Sequence, residues 1–458
     1  MEKTTYGNAH EKEAAFDINE LFFSITTLDS TILSGNEVFV RISGYTREEV
    51  IGRYHNIVRH PDMPRILFKV IWDFIKESKP IAGYVKNRTK TGEYYWVFAA
   101  LFPLEDRYIS IRIKPTSRFF AVAQEIYPKL LNAEKSGGME ESEAMISPLL
   151  HSIGYDNYDQ FMSDALLHEV QGRKGLIAPR VASVHTGEPV SVLSKHLRSV
   201  HTYTETLMKI YDEWFDKIDT FIQVKSAFKE KSLVLRQLAR EVVFLSLNAS
   251  VASYKVANGG DTFAILARDV RTNAKENDDL ITRIDELSQE ITGNLNSLIF
   301  SCSGIRLQSE ILTYFIKELL CEDCNVEHHE IEENIDTLIT LVSEYAKKTD
   351  LIQLQIKQQM GEVLKNLDQL EQQMMYLGYI QVYGIIEAAG NRNETVSFEG
   401  IFSQLKLLIQ TTSHEIEAMG EMGNQFYNEN HSLLEKFDGV KSVLNGLNEE
   451  IECIKKVS

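Results

Sequence analysis

The sequence predicts a small α+β domain followed by an all-α antiparallel long-helix bundle, with two helical hairpins in one chain. Two observations predict it. Between residues 21 and 116, short apolar runs alternate with turn residues, as strands and short helices do. From about Ser191 onward, apolar residues keep a three-four spacing through four segments of roughly 60 residues, broken at three short turns. A third observation bounds the class. The chain of 458 residues is 43% hydrophobic, yet it contains no run of about 18 consecutive apolar residues. The sequence therefore predicts no membrane insertion. Its polar N-terminus has no apolar signal-like run, so a cytoplasmic location is expected. The net charge of −18 argues against nucleic-acid partners and anionic membrane surfaces.

Residues 1–20 read as an amphipathic cap, with Phe16 and Ile18 turned toward something apolar. Phe22–Ile25 and Ser30–Leu33 read as strands around a turn at Leu28–Ser30, and Glu37–Ser43 and Arg47–Ile51 as short helices. Gly44 and Gly52 punctuate these helices. The run N-I-V-R-H-P-D-M-P (56–64) is charged and non-periodic, and its prolines bar a regular helix. Such a segment in an apolar domain points to a ligand. Pro64–Glu77 reads as a longer helix, with Leu67, Val70, Ile71, Phe74 and Ile75 at helical spacing. Ala82–Arg88, Tyr94–Pro103 and Tyr108–Lys114 then complete an antiparallel sheet, joined at Lys90-Thr91-Gly92 and Glu105–Arg107. A sheet with helices on one face leaves a concave pocket.

Residues 117–190 read as a helical linker. It comprises a helix over Phe119–Ala133, a polar stretch at Glu134–Glu143, two short helices over Ile146–Arg173 broken at Gly154, and a loop at Gly172–Pro189. The bundle spans 191–458, as hairpins 191–320 and 328–458. Ser191–Ala257 has neither proline nor glycine and reads as one helix. Helices of this length would each be about 90 Å long at 1.5 Å per residue. Four of matched length make an up-down-up-down bundle. Glu332-Glu333 reads as a solvated face.

Residues 44–64 read G-Y-T-x-x-E-x-x-G-x-x-H-N-x-V-R-H-P-D-M-P, and 85–97 read V-K-N-R-x-K-x-G-x-x-Y-W-V. On these runs, the chain from about Leu21 to Thr116 resembles the PAS domains of bacterial aerotaxis receptors, a flavin-binding redox-sensor family. The resemblance implies a PAS sensor domain over 21–116, with FAD as its cofactor. It aligns Asn36, Arg59, His60, Asp62, Trp72 and Asn87 with flavin-holding positions. Their chemistry suits the group: an isoalloxazine takes an amide at its pyrimidine edge, an aromatic wall, and cations for its pyrophosphate. Two alternatives stay open. One is an empty pocket with Arg59–Asp62 as an internal ion pair. The other is haem, with His55 or His60 as axial ligand.

Leu247–Arg271 reads L-N-A-S-V-A-S-Y-K-V-A-N-G-G-D-T-F-A-I-L-A-R-D-V-R. It is similar to the hairpin tip of methyl-accepting chemotaxis proteins, which binds the chemotaxis histidine kinase and its coupling protein. This implies a signalling tip at Asn248, Lys255, Gly260, Phe263 and Arg271. The chain departs from the family at Arg240 (there Phe), at Glu241-Val242-Val243 (there Gln-Thr-Asn), and at Ala252 and Lys255 (there Glu and Arg). Two functions follow. One is a redox or oxygen sensor signalling to the chemotaxis kinase. The other is a sensor-scaffold outside receptor arrays, whose bundle binds another protein. Four cysteines are too few for a disulfide framework. Cys321, Cys324 and His328 have the spacing of a zinc or redox site, or of a polar turn that happens to hold two thiols. No nucleophile elbow, phosphate loop or kinase signature occurs, so no enzyme is expected.

Overall fold

The structure is a computed structural model that describes residues 12–176, 191–254, 260–320, 328–390 and 396–457. Strands β1 (Phe22–Thr27), β2 (Ile32–Gly35), β3 (Ile81–Arg88), β4 (Tyr94–Pro103) and β5 (Arg107–Ile113) form one antiparallel sheet in the order β2-β1-β5-β4-β3. β2 begins at Ile32, later than predicted. Ser30 sits at φ 68 inside the turn, which the Thr27 N–H closes by donating to the Thr31 carbonyl at 2.9 Å. Residues 12–20 form no helix. Phe16 is buried instead, its ring 5.3 Å from that of Phe22.

Helices α1 (Glu37–Ser43), α2 (Arg47–Val50) and α3 (Arg65–Lys76) lie between β2 and β3. α1 closes on Gly44, whose φ of 73 a glycine adopts without steric cost. α2 opens with a capping box between Thr46 and Glu49. The charged run starts with a 3-10 turn at His55–Val58 and ends at Pro64, the N-cap of α3.

Period-two alternation sorts the sheet's side chains onto two faces. Ser24, Val85, Asn87, Ala99, Leu101, Ser110 and Arg112 look toward α3. Phe23, Phe98, Phe102, Ile109, Ile111 and Ile113 occupy the opposite face and are fully buried. An antiparallel sheet commonly gives one face to water. Here helices cover it.

The first of these helices are α4 (Arg118–Ser152) and α5 (Tyr158–Leu176). The polar stretch 134–143, expected as a linker, is helical on both sides of Gly138, at φ 80. Its glutamates favour helix, and the glycine alone supplies the kink. Gly154, at φ 89, divides α4 from α5 as predicted.

α6 (Val192–Phe215), α7 (Ile218–Ser253), α8 (Gly260–Leu320), α9 (His328–Gly390) and α10 (Val396–Val457) follow. The single helix expected over 191–257 is divided at Asp216 and Lys217. There the Thr220 N–H donates to the Lys217 carbonyl at 3.1 Å and starts a new turn, with no proline or glycine to mark it.

The chain forms two compact units. One comprises Met1–Trp214, Asn296–Thr349 and Asp438–Ser458; the other comprises Phe215–Leu295 and Asp350–Phe437. In the second unit α7 lies beside α8 (Arg236–Asp285) and α10 (Phe221–Phe426). α9 lies beside α8 (Arg283–Glu362) and α10 (Asn430–Gln353). Each neighbour runs antiparallel, which is the expected up-down-up-down bundle. In the first unit the sheet shares its core with α8 and α9. Phe23 meets Phe315 edge-on at 5.2 Å, and Phe102 meets Tyr345 at 5.1 Å.

Candidate functional site

The space between the sheet and α3 holds a cavity of about 460 Å³. Its size falls within the range of small-molecule sites, about 300–1,000 Å³. The floor is the sheet, the rim is the His55–Arg59 turn, and the wall is Phe68, Ile71 and Trp72 of α3. Leaving the 3-10 turn, the Arg59 backbone bridges to Asn87 of β3. The Arg59 guanidinium lies 4.0 Å over the Phe68 ring and donates to the Met63 carbonyl at 3.1 Å. Burial pulls its pKa down, and Glu134 partly opposes this.

Alternation in R-Y-I-S-I-R-I (107–113) brings Tyr108, Ser110 and Arg112 to the cavity. Arg112 is 4% exposed. It donates to Ser24 Oγ at 3.0 Å and the Ser110 carbonyl at 3.3 Å, and its Nη2 lies 2.6 Å from His55 Nε2. Burial pushes its pKa down to about 10, against the attraction of Tyr95. Burial, and then this cation, hold the His55 imidazole well below its usual range. His55 is therefore neutral, with Nε2 accepting from Arg112. The Ser110 hydroxyl is buried and has no hydrogen-bond partner among the described residues.

Of the six aligned residues, Arg59, Trp72 and Asn87 line this cavity. His60 lines an adjoining one, which shares Asn56 and Arg59 with the first and adds Arg65 and Glu134. His60 is buried, and its Nδ1 accepts the Asp62 N–H at 3.1 Å. The Asp62 carboxylate pairs with Lys86 at 2.8 Å, so the alternative Arg59–Asp62 ion pair is not formed. Burial raises the Asp62 pKa, but Lys86 outweighs it and leaves the carboxyl below its ordinary value. Asn36 stands apart from the cavity. Its amide donates to the Leu21 carbonyl at 3.1 Å and to Glu318 at 3.0 Å, and its carbonyl accepts the Phe23 N–H at 3.2 Å. Ser110 and Arg112 are cavity groups that the motifs did not single out. Their signal was the polar alternation of β5.

The PAS fold family matches residues 32–111. Those residues are a PAS domain. Over 118 residues, 25% of the chain, the sequence is 42% identical to the Aerotaxis receptor of Escherichia coli (strain K12), and spans 23% of that receptor's length. It is 30% identical over 79 residues to Phototropin-2 of Oryza sativa subsp. japonica, 17% of this chain and 9% of that one. Among solved structures, the LOV domain of a blue-light activated histidine kinase from Erythrobacter litoralis matches at 18% identity. The TM-score is 0.20, with 21% of this chain and 97% of that one covered. No helix among the described residues is long and apolar enough to cross a membrane.

The PAS domain grips the long helices directly. Glu318 and Phe315 of α8 meet α1 and β1, Glu330 of α9 pairs with Arg47 at 3.3 Å, and Glu333 pairs with Arg107 at 3.0 Å. Asn334 accepts a hydrogen bond from Ser34. Glu333 is thus half of a domain contact as well as a surface group. On the other side Glu169 of α5 is fully buried. It accepts from the Tyr84 hydroxyl at 2.7 Å and from the Thr116 and Ser117 N–H groups at 2.7 and 3.1 Å, where α4 leaves the sheet.

The tip residues separate. Asn248 and Arg271 are exposed, as are Arg240 and Glu241, and Gly260 opens α8. Lys255 lies outside the described residues. Phe263 is fully buried and stacks on Phe398 at 4.1 Å, so it is bundle core and offers no surface to a partner. Cys321 and Cys324 also lie outside the described residues, as does the His328 side chain. Among the described residues no cluster of His, Cys, Asp or Glu could hold a metal.

Proposed function

We propose that the PAS domain holds FAD, and that the chain is a cytoplasmic redox or oxygen sensor of the aerotaxis kind, without catalysis of its own. One observation carries the reading: an aerotaxis-like domain keeps an open cavity on which Arg59, Trp72 and Asn87 converge. The residues fit the group. Asn87 offers an amide to the pyrimidine edge, Phe68 and Trp72 an aromatic wall, and Ser110 an unused hydroxyl. Arg59 borders both cavities and so suits the pyrophosphate of a dinucleotide, whose far half would lie beside Arg65. Haem is supported less well, because His55 is engaged by Arg112 and His60 by Asp62. Bound flavin would supply reversible electron transfer; the chain binds it, orients it and keeps water from it.

The signal would pass through the sheet to α4 and, by the contacts of Glu318, Glu330 and Glu333, to α8 and α9. The tip resemblance supports the chemotaxis histidine kinase and its coupling protein as partners. The exposed charge of Arg240 and the buried Phe263 favour the second reading, a sensor-scaffold that binds another protein. Purified protein should be yellow, release FAD on denaturation and bleach under dithionite. A colourless protein that FAD cannot reconstitute overturns the flavin reading. Pull-down with the kinase and coupling protein decides between the two outputs.

A further inference from the structure

α3 separates two spaces. Phe68 and Trp72 line the cavity over the sheet, while Leu67 and Val70 line a second void of about 50 Å³. This void lies between α3, α4 and α5. Ala123 and Leu130 border it before the Gly138 kink, Leu150 after the kink, and Phe161 from α5. Every residue that lines it is apolar or a tyrosine. The two tyrosines spend their hydroxyl protons on β3: Tyr127 donates to the Tyr84 carbonyl at 2.8 Å, and Tyr158 to the Ala82 carbonyl at 2.9 Å. Their rings are what the void receives. A buried water needs about two to four polar partners, and this lining offers it no free donor. The void is also well below the ~300 Å³ at which ordinary small-molecule sites begin. What it fits is a molecule of roughly one or two heavy atoms without hydrogen-bonding groups, since apolar voids stay dry and take up gases such as xenon.

A smaller void of about 20 Å³ adjoins both spaces. It shares Leu67, Val70, Tyr127 and Tyr158 with the outer void, and Ile71, Val85, Ala99 and Leu101 with the cavity over the sheet. An apolar row therefore runs from α4 and α5, past α3, to the cavity. We propose that the void between α3, α4 and α5 is a site for dioxygen, bound as a small apolar gas and passed to the cavity beside Ile71. The site itself needs no flavin. What the gas does on arrival rests on the flavin proposed above. There dioxygen takes two electrons and one proton from the reduced ring and one further proton from water. It leaves as hydrogen peroxide, and the ring returns to its oxidised form. The residues of the void take no part in that step; they concentrate the gas and keep water out of its path.

The test uses xenon as the probe, first on the full chain without ligand. Methyl NMR signals of Leu130 and Leu150 should shift with xenon and saturate. Ala123→Val fills the void and should lose the saturable shift; Leu150→Ala enlarges it and should strengthen the shift at Leu130. Shifts that never saturate, or that survive Ala123→Val unchanged, overturn the site. Should Ala123→Val fail to fold, Leu150→Ala decides alone, and xenon binding no tighter than in the parent overturns the site. The second measurement follows the return of yellow colour after FAD-loaded chain, reduced with stoichiometric dithionite, meets oxygenated buffer. Re-oxidation should slow several-fold in Ala123→Val and in the parent under xenon, while xenon should slow Ala123→Val no further. Equal rates in all of these, with xenon bound in the parent, overturn the delivery of dioxygen and leave the flavin reading intact. If the chain takes up no FAD, the flavin reading falls and delivery falls with it. The xenon titration still decides whether the void takes a gas.

Discussion

Glu318 of α8 accepts the Asn36 side-chain amide at 3.0 Å and the Glu37 backbone N–H at 2.8 Å. One carboxylate from the bundle therefore serves the start of α1, where negative charge is favoured by the helix end. Burial nonetheless raises its pKa above the ordinary value of 4.5, against the hydrogen bonds from Glu37 and Asn36.

A pH dependence follows from that sign. The folded chain holds the Glu318 proton more tightly than the unfolded chain does. The resulting stability is fully present below the ordinary value and is lost as pH rises through the raised one. Glu318→Gln keeps an acceptor and removes the charge. Urea unfolding followed between pH 4 and 7 should show a flatter loss of stability with rising pH in the variant. Parallel curves would show that Glu318 does not titrate in this window.

Arg59→Ala and Asn36→Ala should part ways. Arg59 faces the cavity, and losing a charged hydrogen bond of about 1.5–3 kcal/mol lowers FAD affinity roughly ten- to hundredfold. Asn36 faces Leu21 and Glu318, so its removal should leave FAD affinity unchanged while loosening the contact with α8. Flavin fluorescence titration measures both. An Asn36→Ala chain that is folded but colourless would return Asn36 to the flavin.

Much of the PAS domain was legible in the sequence, and the limits have physical causes. Gly44 and Pro103 end α1 and β4 where they were expected to, because glycine accepts the left-handed φ of the cap and proline has no N–H for the ladder. Arg59, Trp72 and Asn87 sit in or beside the ordered motifs, and the cavity gathers them. Ser110 and Arg112 were not legible as site residues. An alternating strand reads as one apolar and one wet face, and only the position of α3 turns the polar face into a cavity floor. The hold on α8 and α9 was hidden for a similar reason. Glu333 looks like any solvated helix residue until Arg107 is placed 3.0 Å away.

Glu169 should be the costliest single carboxylate to remove. Glu169→Leu strands the Thr116 and Ser117 N–H groups, each unsatisfied donor costing about 1–3 kcal/mol, and leaves the Tyr84 hydroxyl with Ser117 Oγ alone. A loss of at least about 2 kcal/mol in denaturant unfolding is expected, with faster amide exchange in the first turn of α4. A variant as stable as the parent would mean that water replaces the carboxylate.

In the second unit, a Cβ on Gly384 would stand 2.3 Å from the Phe402 ring, which is itself buried. Gly384→Ala should destabilise the bundle by about 1–3 kcal/mol through overpacking, despite alanine's better helix propensity. Phe402→Leu in the same chain should recover part of that loss. Without such recovery, the two residues are not coupled.

Ser34 and Asn334 meet across 300 residues of sequence, and this bears on how the protein is made. All five strands are present once residue 113 has been synthesised, but Tyr345, which covers Phe102, comes much later. At about 5–20 residues per second, the intervening stretch takes on the order of 10–45 s to synthesise. Until α8 and α9 have both been made, the part of the sheet face around Phe23 and Phe102 lacks their cover on the nascent chain, with only α4 and α5 available earlier. For that interval the ribosome-bound domain displays the kind of surface that chaperones bind, and that neighbouring nascent chains can adhere to.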